Sequence, residues 1–213
     1  TVKVVSDSGN KYRFDDFGTS AVTLDLQEGG TYTFDQSDSS NSGHPLRFYT
    51  ASDKSGGEYT TGVTTSGTPG SSGAKTVITV AASAPTLYYQ CSNHAGMGGQ
   101  ANTNSTFGSS NFGGSIQSTV SANTTAGFSI ISFTSLASGS NYTIAHGLSA
   151  TPAVIFLKGR HESNNWMVYH HKNTSAPETD YLMLDDTAAT ADYPVWNDTA
   201  PTSSVFSCGT WSG

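Results

Sequence analysis

The chain has 213 residues, enough for one large or two small domains. Charged residues are 12% of it and hydrophobic residues 35%, with 23 glycines and a net charge of −7. No basic patch is visible and no apolar run approaches the ~18 residues of a membrane span, so nucleic-acid binding and membrane insertion are not expected. Short runs of Val, Ile, Leu, Tyr and Phe between Gly, Ser and Asn turns argue against disorder and for an all-β protein. Residue 1 is Thr, with strand-like residues directly behind it and no signal peptide, so the chain reads as processed or as a piece of something longer.

In chain order, residues 2–5, 11–14 and 21–26 read as strands, and 27–30 as a turn in which Gly can take positive φ. Residues 31–35 alternate, placing Tyr32 and Phe34 on one face. A polar loop over 36–43 delivers His44, and 46–50 is the next strand. The Gly/Ser/Thr-rich stretch 51–74, with Tyr59 and a Thr68-Pro69-Gly70 turn, is a long surface excursion. Residues 75–80 alternate again, and 81–85 lead into an aromatic strand over 86–90. About seven or eight strands suit a small sandwich.

Cys91 falls where that strand ends. Cys91-Ser92-Asn93-His94-Ala95-Gly96-Met97 puts a thiolate, an imidazole and a thioether within seven residues, as C-x2-H-x2-M. The small, turn-prone residues between them let the loop curl so that all three donors face one point. His44 would arrive from another loop at the same end of the sandwich. Two His, one Cys and a weak axial Met form the ligand set of electron-transfer copper. Residue by residue, other readings stand: Cys91 as a buried small hydrophobe or in a disulfide with Cys208, the histidines as backbone-bonded loop residues, Met97 as a gap filler.

His44 together with C-x2-H-x2-M resembles the ligand pattern of the cupredoxins, small blue-copper β-sandwiches of the plastocyanin and amicyanin kind. The resemblance covers about residues 1–100. It implies a Greek-key sandwich holding one type 1-like copper, with His44, Cys91 and His94 as equatorial ligands and Met97 as the axial one.

Residues 101–126 are rich in Asn, Thr, Ser and Gly and read as a linker or connector, of which Phe107, Phe112, Ile116 and Val120 could pack on a neighbour. From Gly127 apolar runs return, at 128–134, 142–148, 152–158, 166–170, 181–185, 193–199 and 204–207. The most apolar of these, 152–158, predicts a buried central strand. The segments Gly127-Phe128-Ser129-Ile130, Ala145-His146-Gly147-Leu148, Pro152-Ala153-Val154-Ile155, Trp166-Met167-Val168-Tyr169-His170 and 196–206 resemble a β-rich module of tail-fibre and other virion surface proteins of marine bacteriophages. Those proteins also carry cupredoxin-like segments similar to residues 31–100. In that family another strand usually follows, so a second β-sandwich-like domain over 127–213 is expected to be incomplete.

Other constellations are weaker. His170-His171, with His161 and His146, lacks a recognisable metal spacing, and solvent-exposed histidines are expected. Asp185-Asp186 reads as a solvated turn. Tyr59, Trp166, Trp196 and Trp211 could offer a sugar-binding surface, but Trp166 and Trp196 lie in alternating apolar runs that predict core. No hydrolase or phosphate-loop motif is present. The expectation is a non-enzymatic structural or adhesion component on a virion surface or otherwise extracellular. Its expected partners are further copies of itself, other virion proteins and a host-surface glycan or protein. The alternative is a soluble blue-copper electron-transfer protein.

Overall fold

A computed structural model describes residues 1–137 and 139–209. The fold is all-β, as expected, and divides into two compact units, Thr1–Phe112 and Gly113–Gly213.

Unit 1 contains β1 (Val2–Ser6), β2 (Asn10–Phe14), β3 (Leu24–Asp25), β4 (Thr31–Asp35), β5 (Leu46–Tyr49), β6 (Val63–Ser66), β7 (Lys75–Thr79), β8 (Leu87–Cys91), β9 (Gln100–Asn102) and β10 (Ser109–Asn111). β1 and β2 form a hairpin with Val2 opposite Phe14. One sheet runs β3-β9-β8-β5 and a second β4-β7-β6, so the chain repeatedly steps from one sheet to the other. Their inner faces make a sandwich because the strands alternate. In β7 Thr76 and Ile78 turn inward, in β5 Leu46 and Phe48, and in β8 Leu87, Tyr89 and Cys91, all fully buried. Aromatic edges lock the middle of this core: Phe14 meets Tyr89 with centroids 5.1 Å apart, and Phe34 meets Phe48 at 5.4 Å. Each such ring contributes roughly 1.5–3 kcal/mol by leaving water.

The stretch expected as a connector, 101–126, carries strands instead, and unit 1 reaches Phe112. Ala101 pairs with both Leu24 and Leu87, the Thr103 hydroxyl donates to the carbonyls of Ala84 and Pro85, and Phe112 stacks on Phe14 at 5.8 Å. Backbone pairing of β9 with β3 and β8 places this stretch, whose many polar residues no hydrophobic alternation announces.

Unit 2 contains β11 (Ser118–Asn123), β12 (Phe128–Phe133), β13 (Tyr142–Ala145), β14 (Val154–Leu157), β15 (Met167–His170), β16 (Asp180–Met183), β17 (Ala191–Asp192) and β18 (Val205–Cys208). β11 and β12 form a hairpin, β13 pairs with β18, and a four-stranded sheet runs β14-β15-β16-β17. Ile144, Phe206 and Cys208 make one core cluster; Met167, Tyr169, Val195 and Trp196 make another, with Ile155 and Leu157 packed against both.

Four expectations need correcting. Residues 152–158 are not a central strand: β14 is the sheet's edge, and Val154 and Phe156 are 40% and 55% exposed on its outer face. An apolar run long enough for burial on both faces is here buried on one. Trp166, just before β15, is 41% exposed and off the parity of the core residues Met167 and Tyr169, while Trp196 is buried as expected. Residues 193–199 form turns rather than a strand, with Asn197 and Asp198 at positive φ. His146 is buried, not solvent-facing. Trp211 lies outside the described residues.

His146 carries a pH dependence. Its Nε2 donates to Thr202 O at 3.2 Å and its Nδ1 accepts from Leu148 N at 3.2 Å, an arrangement only the neutral ring satisfies. Burial lowers its pKa below the ordinary histidine value, with the Thr202 contact opposing in part. A depressed folded pKa contributes stability that is present above the unfolded pKa of about 6.5 and is lost as pH falls through the folded value. The unit 2 melting transition should therefore fall between pH 7.5 and 5 in the wild type, and fall less in His146→Gln; equal falls in both would remove His146 from the explanation.

Candidate metal centre

The centre is built where two strands end. β5 and β8 pair antiparallel with Leu46 opposite Cys91, so the chain entering β5 and the chain leaving β8 emerge together. His44 lies just before β5, and Cys91 is the last residue of β8. Ser92 N donates to Pro45 O at 3.0 Å and Asn93 Nδ2 to Gly43 O at 2.9 Å, which ties the two ligand-bearing segments to each other.

Both imidazoles present Nδ1 to the sulfur. His44 Nδ1 is 3.8 Å and His94 Nδ1 3.5 Å from Cys91 Sγ, and the two rings lie 4.6 Å apart between centroids. Bond lengths of about 2.3 Å to thiolate and about 2.0 Å to imidazole put S and N about 3.5–3.7 Å apart for tetrahedral to trigonal angles. The donors therefore stand at the separations of ligands sharing one ion. Among the described residues these three are the group of His, Cys, Asp and Glu that could hold a metal, all ligand atoms lying within 4.8 Å of one another. Cys91 is fully buried, His44 half-buried and His94 exposed. Met97 is also buried and belongs to the same core cluster as Cys91. The disulfide alternative falls, since Cys91 and Cys208 are free thiols.

Residues that no motif marked hold the candidate ligands in place. Gln36, 1% exposed, donates from Nε2 to His44 O at 2.9 Å and accepts Leu46 N on Oε1 at 3.0 Å, so it brackets the His44 segment. Asn41 supports it, donating to Val2 O at 2.7 Å. The Tyr12 hydroxyl donates to His44 O at 2.9 Å; burial, then the charge of nearby Cys91, push its pKa far up, so it stays a donor. At the loop's return, Gln90 Oε1 accepts Gly98 N at 3.1 Å and Met97 O accepts Tyr12 N at 2.8 Å. Lys11 Nζ donates to Gly96 O. Burial, with the His94 charge second, lowers the His44 pKa, which favours the neutral form that ligates metal.

Gln36 supplies a direct test of this frame. In Gln36→Leu the buried Leu46 N–H loses its acceptor and His44 O loses one donor. Unit 1 should lose roughly 2–4 kcal/mol in urea unfolding, as expected for a buried polar group left unpaired. A change under ~0.5 kcal/mol would show that water or a rearranged partner replaces it.

The other weighed residues do not join the site. His170 and His171 contact each other with centroids 5.5 Å apart, and Asp185 and Asp186 are exposed, each accepting a backbone N–H. Tyr59 packs against the unit 1 core.

Residues 98–213 match a family described as a domain of unknown function, DUF7483. The chain belongs to that family. The matched stretch covers 113–213 and begins directly after Met97, so His44, Cys91, His94 and Met97 all precede it. Comparisons with curated proteins and with solved structures return no match. No helix among the described residues is long and apolar enough to cross a membrane.

Proposed function

We propose that unit 1 is a copper-binding domain of the cupredoxin type, with His44, Cys91 and His94 as equatorial ligands and Met97 as the axial one. The observation that carries this is the convergence of two imidazole Nδ1 atoms on one buried cysteine sulfur at metal-sharing distances. Thiolate and imidazole donors favour soft or borderline ions, and no carboxylate belongs to the group, which disfavours magnesium and calcium. The remaining donor of the motif is a thioether, which is no part of the usual structural zinc sets and suits copper.

Bound there, copper would supply a one-electron Cu(II)/Cu(I) couple. The chain's own residues supply the rest. Cys91 and His44 come from the ends of paired strands, so a shared ion cross-links β5 to β8. The buried core around Cys91 and Met97 keeps water from the thiolate, and exposed His94 is the ligand an electron partner could approach. The chain as a whole is a non-enzymatic surface or virion component in which copper staples unit 1. This is supported by the resemblance of 127–213 to phage surface modules and by a second unit for which a simple carrier has no use. The exposure of His94 favours a second reading, a blue-copper electron carrier.

Cys91→Ser tests the ligand assignment. The wild type with Cu(II) should show an intense thiolate-to-copper visible band, absent in the variant; an identical spectrum in both would sink Cys91 as a ligand. Self-association is tested separately by light scattering, where a strict monomer at high concentration would count against the structural reading.

A further inference from the structure

The turn that follows β5 brings a cation to the metal centre. Lys54 Nζ donates to Cys91 O and to Ser92 O, both at 3.1 Å. These two carbonyls belong to the ligand residue and to the first residue of the ligand loop. Lys54 itself sits at φ +67°, in the left-handed region that ordinary residues enter at a cost of roughly 1–3 kcal/mol. The surrounding turn fixes it there: Lys54 N donates to Ala51 O, Gly57 N donates to Lys54 O, and the Thr50 hydroxyl donates to Gly56 O. Lys54 is half-buried, and its ammonium passes 5.9 Å from the Tyr49 ring centroid. Lys54 takes part in none of the ion pairs among the described residues; the nearby Glu58 is paired with Arg47 at 3.6 Å. A glycine or asparagine would serve such a turn with less strain.

We propose that Lys54 is a positioning residue of the metal centre: its ammonium ties down the Cys91–Ser92 backbone, and its charge, not cancelled by a carboxylate, raises the reduction potential of copper held by His44, Cys91 and His94. This rests on the copper reading above. One thiolate and two neutral imidazoles leave a Cu(II) centre with one net positive charge and a Cu(I) centre neutral. A fixed cation on the ligand's own backbone disfavours the more positive state. The same two hydrogen bonds restrain the loop that must open for the ion to leave.

The test uses the full chain with Lys54→Met and Lys54→Arg. In the metal-free protein, amide exchange at Ser92, Asn93 and His94 should be faster in Lys54→Met than in the wild type, and restored in Lys54→Arg. In the copper-loaded protein, Lys54→Met should have a lower reduction potential and lose copper to a chelator roughly 10-fold faster, as for other residues that orient metal ligands. Lys54→Arg should recover the potential, which a merely structural role would not require. An unchanged potential and release rate in Lys54→Met would overturn the proposal. If the wild type takes up no copper, the copper reading fails by itself. The clamp is then decided by the metal-free exchange, where equal rates in wild type and Lys54→Met overturn it.

Discussion

Gly98→Ala should cost unit 1 on the order of 3–5 kcal/mol, because the added methyl has no space. A Cβ on Gly98 would lie 1.6 Å from Tyr89 O and 2.8 Å from the Tyr89 ring. The obstacle is backbone in β8, which carries the ligand cysteine, so it cannot swing aside as a flexible side chain would. Relief requires parting the ligand loop from β8 where Tyr89 N donates to Gly99 O at 3.0 Å and Gly98 N donates to Gln90 Oε1. Gly96→Ala, two residues earlier, is the control. It meets only Lys11 Nζ at 4.0 Å, and its φ of +70° should cost about 1–2 kcal/mol. Chemical unfolding of both variants checks the contrast. Equal costs would show that backbone strain, not the close approach of Gly98 to β8, sets the requirement for glycine in this loop.

Copper should raise the melting temperature of unit 1 by roughly 10–20 °C. An ion that binds only the folded state at 100 times its Kd adds about 2.7 kcal/mol. For a domain of about 100 residues each kcal/mol is worth roughly 4–8 °C. The gain should be confined to the unit 1 transition, reversed by chelator and absent in Cys91→Ser and His94→Gln, as read by calorimetry. Equal shifts in wild type and Cys91→Ser would place the stabilising ion elsewhere. A wild type whose melting is indifferent to copper and to chelator would show that the folded domain holds no copper in preference to the unfolded chain, which removes the staple and the carrier reading alike.

That His44, Cys91 and His94 form a group that could hold a metal was legible in the sequence because most of its information is local. Cys91, His94 and Met97 are held together by covalent spacing, and His44 precedes a strand whose antiparallel pairing with β8 returns it to Cys91. The residues that hold these candidate ligands in place were not legible. Gln36, Asn41, Tyr12 and Lys54 act through hydrogen bonds to backbone atoms of other segments, and nothing in their neighbourhoods distinguishes them from loop or strand residues. Strand existence followed the alternation well in 31–35 and 75–80. It failed at β6, β9, β10 and β11, where Ser, Thr, Asn and Gln carry little apolar signal. At β14 the apolar run pointed to a strand but not to its place, since edge and centre differ only in what pairs with the far side. Trp166 and Trp196 show the same limit: both sit among apolar residues, and only the parity of the folded strand or turn decides which one is buried.

The most direct measurement of the central claim is metal content and visible absorption of the purified wild-type chain before and after Cu(II). The expected result is one copper per chain with an intense band from the Cys91 thiolate. A folded protein that takes up no copper and shows no such band would contradict it.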